Sequence, residues 1–163
     1  MEKYTLSKEE KQYLGYYVSG EGHNYSKNTG CAATVTLGPK ICCIDCEFVE
    51  TVDGVKLLDV DPGKATNRTV ITFVGEPQPV IEAAFRLIKK AAELIDMSKH
   101  SGEHPRFGAT DVCPLVPISG ISLEETAHYA HQLGKRIGKE LGIPGYFYEK
   151  AATEDKRKNL ANC

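Results

Sequence analysis

From about Pro79 to Met97 apolar residues recur at three- and four-residue steps. Val80, Ala84, Leu87, Ala91 and Leu94, joined by Ile81, Phe85, Ile88, Ala92 and Ile95, form one wide stripe. An amphipathic helix with so broad an apolar face must be covered by another element, which commits the chain to a layered fold. Pro79 suits its first position, where a missing N–H has no intrahelical partner. The covering element is read just upstream. Thr69-Val70-Ile71-Thr72-Phe73-Val74 is rich in β-branched residues and closed by Gly75. Val55 to Val60 is a second apolar run, ending in the turn formers Asp61-Pro62-Gly63. The two runs are expected to pair antiparallel across the loop from Asp61 to Arg68.

Downstream, Ala109 to Ile118 reads as a strand that Pro114 and Pro117 keep short or at an edge, since proline removes ladder donors. A second helix starts at Ser122 with a capping box to Glu125, lines its face with Leu123, Thr126, Ala127, Ala130, Leu133, Ile137 and Leu141, and stops at Gly142 and Pro144. Tyr146-Phe147-Tyr148 is read as a last short strand. The order β-β-α-β-α-β predicts an α+β sandwich with the helices on one face of the sheet.

The chain divides near residue 47. Residues 47–163 carry these regular patterns, whereas residues 1–46 are weakly specified: Gly20 to Gly30 is polar and glycine-rich, Ser7 with Glu10 suits a helix start, and Thr34 to Leu37 suits half a hairpin. The 163 residues, 41% hydrophobic and 26% charged, fit one globular domain. A net charge of −2 without a basic patch gives no field for holding a polyanion, so no nucleic-acid partner is expected. The absence of a long apolar run or a signal-like N-terminus predicts no membrane association and a cytoplasmic location, with the six cysteines reduced.

Chemistry concentrates in two loops. Asp96 to Arg106 packs His100, Glu103, His104 and Arg106 around Gly102 and Pro105. His104 precedes a proline and is biased to extended backbone. An unperturbed imidazole, with a pKa of about 6.5, is mostly neutral at pH 7 and ready to accept a proton. The competing reading is a helix C-terminus whose cations favour the dipole. The second loop, Asp59 to Thr69, sets a carboxylate, an amide and a guanidinium at the ends of adjacent strands, or is simply turn chemistry. Cys43-Ile44-Asp45-Cys46 has C-x-x-C spacing and His128 and His131 share a helix side, but nothing completes a zinc set, so no metal is expected and structural thiols are favoured. Phosphate-loop, dinucleotide, zinc-protease and serine-hydrolase motifs are missing.

From about Val52 to Asn162 the chain resembles the N-terminal subdomain of glutamate formiminotransferase, the transferase half of formiminotransferase-cyclodeaminase. The stretches that carry this are Leu57-Leu58-Asp59-Val60-Asp61, Thr66-Asn67-Arg68-Thr69-Val70, Phe73-Val74-Gly75, Leu94-Ile95-Asp96-Met97-Ser98, Gly102-Glu103-His104-Pro105-Arg106 and Gly108-Ala109-Thr110-Asp111-Val112-Cys113-Pro114, in order and at matching spacing. The resemblance implies a ferredoxin-like arrangement and transfer of a formimino group from N-formimino-L-glutamate to N5 of tetrahydrofolate, a co-substrate. It also implies that His104, in the G-E-H-P-R motif, is catalytic. On that basis Asp61 is the group expected to face the cationic amidine. Arg68 and Arg106 are expected at the substrate carboxylates, where paired guanidinium donors match, with Asn67 and Glu103 completing the substrate contacts.

Two departures from the family pattern stand out. The family opens with a strand and turn close to E-C-V-P-N-F-S-E-G, which Tyr25 to Leu37 does not match; a shifted reading frame and a divergent extension both accord with this. The family also continues into a second subdomain, with folate between the two, so Cys163 is expected to end one wall of a cleft, completed by a C-terminal subdomain or by a homo-oligomer. Transfer of formyl from N-formylglutamate and a non-catalytic folate-pathway binding or assembly module are the alternatives.

Overall fold

The structure, a computed structural model, describes residues 30–37, 49, 51–63, 65–102 and 107–163. Its strands are β1 (Gly30–Leu37), β2 (Val55–Gly63), β3 (Arg68–Gly75), β4 (Thr110–Val112) and β5 (Leu115–Ser119), with helices α1 (Pro77–Leu94) and α2 (Leu123–Arg136). The sheet runs β2-β3-β1-β4, with β5 continuing the β4 side of β1, and every pairing is antiparallel. This is the expected α+β architecture, and its order is consistent with a ferredoxin-like sandwich.

One face of the sheet carries the core. The register sets Val35 beside Ile71 and Ala33 beside Phe73, all without solvent exposure. Val80, Ala84, Leu87 and Ala91 of α1 close over them, and Leu133 of α2 joins the same cluster. Two members of the predicted stripe, Ala92 and Leu94, are instead exposed, while Ala91 and Ile95 on either side of them are buried, so the apolar stripe is narrower at this end of the helix than the sequence suggests.

Several expectations are corrected. The helix starts at Pro77, not Pro79. Both prolines are tolerated because the first four N–H groups of a helix lack intrahelical acceptors. Asp61-Pro62-Gly63 does not turn: β2 continues through it, with Asp61 opposite Val70 and Gly63 opposite Arg68. Pro62 can sit there because β2 is an edge strand among the described residues, where a missing N–H breaks no ladder. Among the described residues the turn is therefore confined to residues 65–67. The Ala109–Ile118 strand splits at Cys113-Pro114 into β4 and β5. Tyr146-Phe147-Tyr148 forms no strand. Phe147 instead packs edge-on against His131, with ring centroids 4.5 Å apart, over Gly134, where a Cβ would lie 2.5 Å from the phenyl ring.

The largest correction concerns the half read as weakly specified. Gly30–Leu37 is the central strand, paired along its length with β3 on one side and with β4 and β5 on the other. The helix start expected at Ser7 and Glu10 lies outside the described residues, as does Cys43-Ile44-Asp45-Cys46. The capping box forms as read: Glu125 N–H donates to Ser122 Oγ at 3.1 Å, and Ser122 N–H donates to Glu125 Oε2 at 2.8 Å. A π-helical turn, Ile137–Leu141, follows α2, and Gly142 ends it at φ +68°.

Candidate active site

Topology brings both chemical loops to the same end of the sheet. Leu37, at the end of β1, pairs with Thr69 on one side and Thr110 on the other. The tip of the β2–β3 hairpin and the chain entering β4 are thus two strand spacings apart, about 10 Å. That gap is short enough for one side chain to bridge much of it.

Asn67 does so. It occupies the left-handed region at φ +49°, which asparagine tolerates better than most residues. From this turn its Nδ2 donates to the carbonyl of Ser101 at 2.8 Å. The sequence placed Asn67 among substrate contacts; the structure gives its amide a main-chain partner in the other loop. Asp61 and Arg68 lie on adjacent strands and share a sheet face, since Asp61 is opposite Val70 while Arg68 alternates with Val70, Thr72 and Val74. That face is the one opposite the buried row Thr69, Ile71 and Phe73. Asp61 is exposed and Arg68 half-buried. Glu103, His104 and Arg106 lie outside the described residues.

The chain on either side of that segment is held by side chains the sequence reading did not single out. Asp96 caps the 3-10 turn Met97–Lys99: Ser98 N–H and Ser98 Oγ both donate to its Oδ1, at 3.1 and 2.6 Å. The Ser98 hydroxyl and the Lys99 ammonium hold the Asp96 carboxyl below its ordinary pKa. After the segment, Phe107 N–H donates to Asp111 Oδ1 at 2.9 Å. Short acidic side chains that bond nearby main chain are a general device, and Asp111 within Gly108-Ala109-Thr110-Asp111 offered that signal. Next to it, Thr110 Oγ1 is buried without a hydrogen-bond partner.

His128 is exposed, and His131 is half-buried with Nε2 2.7 Å from Ala151 O. A carbonyl only accepts, so that nitrogen carries the proton. Among the described residues no group of three or more His, Cys, Asp or Glu side chains is placed to hold a metal ion. Burial raises the thiol pKa of Cys31 to about 11, against an opposing bond from Val116, and that of Cys113 to about 12.

Comparison with known proteins supplies the family. Residues 41–163 match the formiminotransferase domain, N-terminal subdomain. The chain belongs to that family. Glutamate formimidoyltransferase of Streptococcus pyogenes serotype M1 is 52% identical over 112 residues, 69% of this chain and 38% of the relative. Formimidoyltransferase-cyclodeaminase of Gallus gallus is 53% identical over 112 residues, 69% of this chain and 21% of the relative. That of Dictyostelium discoideum is 53% identical over 107 residues, 66% of this chain and 20% of the relative. The chain therefore spans well under half the length of these relatives. Within this formiminotransferase subdomain β1 precedes the matched span, so the central strand is built from residues outside it.

Proposed function

We propose that this chain supplies the histidine-bearing wall of a glutamate formimidoyltransferase site, moving the formimino group of N-formimino-L-glutamate to N5 of tetrahydrofolate. The observation that carries the reading is the Asn67–Ser101 hydrogen bond, which joins the two motif-bearing loops in a chain that matches the formiminotransferase family. The names of the relatives support formimidoyl transfer from glutamate.

In this reading His104 is the proton shuttle. Attack of N5 on the amidine carbon gives a tetrahedral species with a new C–N bond. His104 takes the proton from N5 and delivers one to the glutamate nitrogen, which leaves with the electrons of the old C–N bond. Such positioned proton transfer contributes about 10²–10⁴ in rate. Asp61 faces the cationic amidine. Arg68 and Arg106 meet the glutamate carboxylates, and Glu103 belongs to the same contact set. Folate lies against a second subdomain, because small-molecule sites usually bury about 70–90% of their ligand and one wall does not. The same proposal gives the chain a cytoplasmic setting, which fractionation checks.

The test is formimino transfer by the full chain, with and without a supplied C-terminal formiminotransferase subdomain, using N-formimino-L-glutamate and N-formyl-L-glutamate as donors. Transfer is expected with the former donor, and His104→Ala should lower kcat by about 10²–10⁴ with the melting temperature unchanged. Silence under every condition would overturn the enzymatic reading in favour of a binding module.

A further inference from the structure

We infer that Asn67 is a positioning residue, whose amide fixes the main chain leading into Gly102-Glu103-His104 rather than contacting substrate. The inference rests on the function proposed above and assigns a division of labour within that site. Asn67 and Ser101 are 34 positions apart, and the bond between them runs from a side-chain N–H to a main-chain carbonyl at 2.8 Å. A main-chain acceptor means that the bond locates the backbone itself. Ser101 is three residues before His104, and Phe107, three residues after it, is held through its own N–H by Asp111 at 2.9 Å. Ser101 and Phe107 are thus each tied by a hydrogen bond to a residue outside positions 102–106. Each anchor is attached to the sheet: Asn67 sits in the turn that joins β2 to β3, and Asp111 lies within β4 between the paired Thr110 and Val112.

The left-handed backbone at φ +49° is what aims the Asn67 side chain. Aspartate shares asparagine's tolerance of that region and its size, but offers the Ser101 carbonyl only acceptors when ionised. Asn67→Asp is thus a substitution that keeps turn and volume while turning an attraction into a repulsion. Losing one neutral hydrogen bond near the surface shifts the equilibrium between held and released backbone by roughly three- to tenfold.

The experiment compares wild type and Asn67→Asp as full chains. Steady-state transfer is followed in the presence of the supplied C-terminal subdomain, and the Ser101 carbonyl carbon and Gly102 amide are followed by NMR. The expected result is a fall in kcat of roughly three- to tenfold with KM for N-formimino-L-glutamate within about twofold of wild type. The Ser101 carbonyl shift should move and exchange of the Gly102 amide should quicken. A raised KM with unchanged kcat would make Asn67 a substrate contact and overturn the inference. Transfer by wild type, with kcat and the Ser101 signal both unmoved in Asn67→Asp, would overturn it alone. No transfer by wild type would instead overturn the proposed function and this inference together.

Discussion

Gly75 ends β3 between two partners, opposite Cys31 of β1 and opposite Val55 of β2. A Cβ built there would lie 2.3 Å from the carbonyl oxygen of Gly54 and 3.3 Å from Gly54 C and Val55 Cα. All three are main-chain atoms. Relief therefore requires moving the turn before β2, roughly 1 Å for an ordinary carbon–oxygen contact, and not just rotating a side chain. That turn is itself constrained, because Gly54 holds φ +82°. Overpacking of this kind costs about 1–3 kcal/mol. Against it, alanine reduces the freedom of the unfolded chain and returns about 0.4–1 kcal/mol. The net loss for Gly75→Ala should be about 1–2 kcal/mol, which for a chain of this length lowers the melting temperature by about 2–8 °C. Gly63→Ala is the internal control. The nearest atom to its added Cβ is Thr66 Oγ1 at 2.5 Å, a side-chain hydroxyl that can rotate away, so its loss should be smaller. Thermal and urea unfolding of both variants measure this. A Gly75→Ala chain that melts at or above wild type, or below it by less than Gly63→Ala does, would refute the reasoning.

Two further predictions follow from the helix pair and from the entry to β4. Glu82 on α1 accepts hydrogen bonds from Arg86 and, across the helix interface, from Arg136, whose guanidinium also lies 3.7 Å above the Phe85 ring. Partial burial raises the Glu82 pKa, but the Arg136 and Arg86 bonds outweigh it and hold the carboxyl below its ordinary 4.5. A depressed carboxylate stabilises the fold above its unfolded pKa and ceases to do so as pH falls through the folded one. Glu82→Gln should therefore cost about 1 kcal/mol or less at pH 7, and its melting temperature should begin to converge on wild type as pH falls below the ordinary carboxyl value of 4.5; a gap that does not narrow on acidification would contradict this. Thr110→Val removes a buried, unpartnered hydroxyl at nearly constant shape, so stability should hold or rise by about 1 kcal/mol. A loss above about 1 kcal/mol in urea unfolding would show that the hydroxyl is satisfied in solution.

What could be read in the sequence depended on whether the signal was local. The α1 stripe and the Ser122–Glu125 capping box are periodic or contiguous, and both form, because each is decided by residues within a turn or two of one another. The Asp61-Pro62-Gly63 turn failed for the opposite reason. Its residue types favour a turn, but edge-strand pairing to Val70, Thr69 and Arg68 outcompetes that preference, and no local pattern announces which strand is an edge. Tyr146 to Tyr148 have strand-like composition but join no ladder, and Phe147 packs instead against His131 and over Gly134 on α2, a long-range contact that no local pattern announces. At the site, the sequence places Asp61, Asn67 and Arg68 along one short stretch, and the structure sets that stretch at the tip of the β2–β3 hairpin. The reach of Asn67 to Ser101 was not legible, because it depends on β1 lying between β3 and β4.

That dependence makes the central strand the part of the fold on which the site's geometry turns. Gly30–Leu37 lies ahead of the residues that match the family, yet it has what the middle of a sheet needs. Cys31, Ala33 and Val35 alternate onto the helix side, and all three are fully buried. Two of these are small, and Ala33 faces Phe73, the largest of the fully buried side chains, so volume is shared across the pair instead of duplicated. A central strand is selected by alternation and by the space its neighbours leave, conditions that many sequences meet. The site is less permissive, because the distance from the β2–β3 turn to the Ser101 backbone is set by one intervening strand. Insert a second strand there, or remove β1, and the Asn67 amide no longer meets that carbonyl, whatever motif stands on either side.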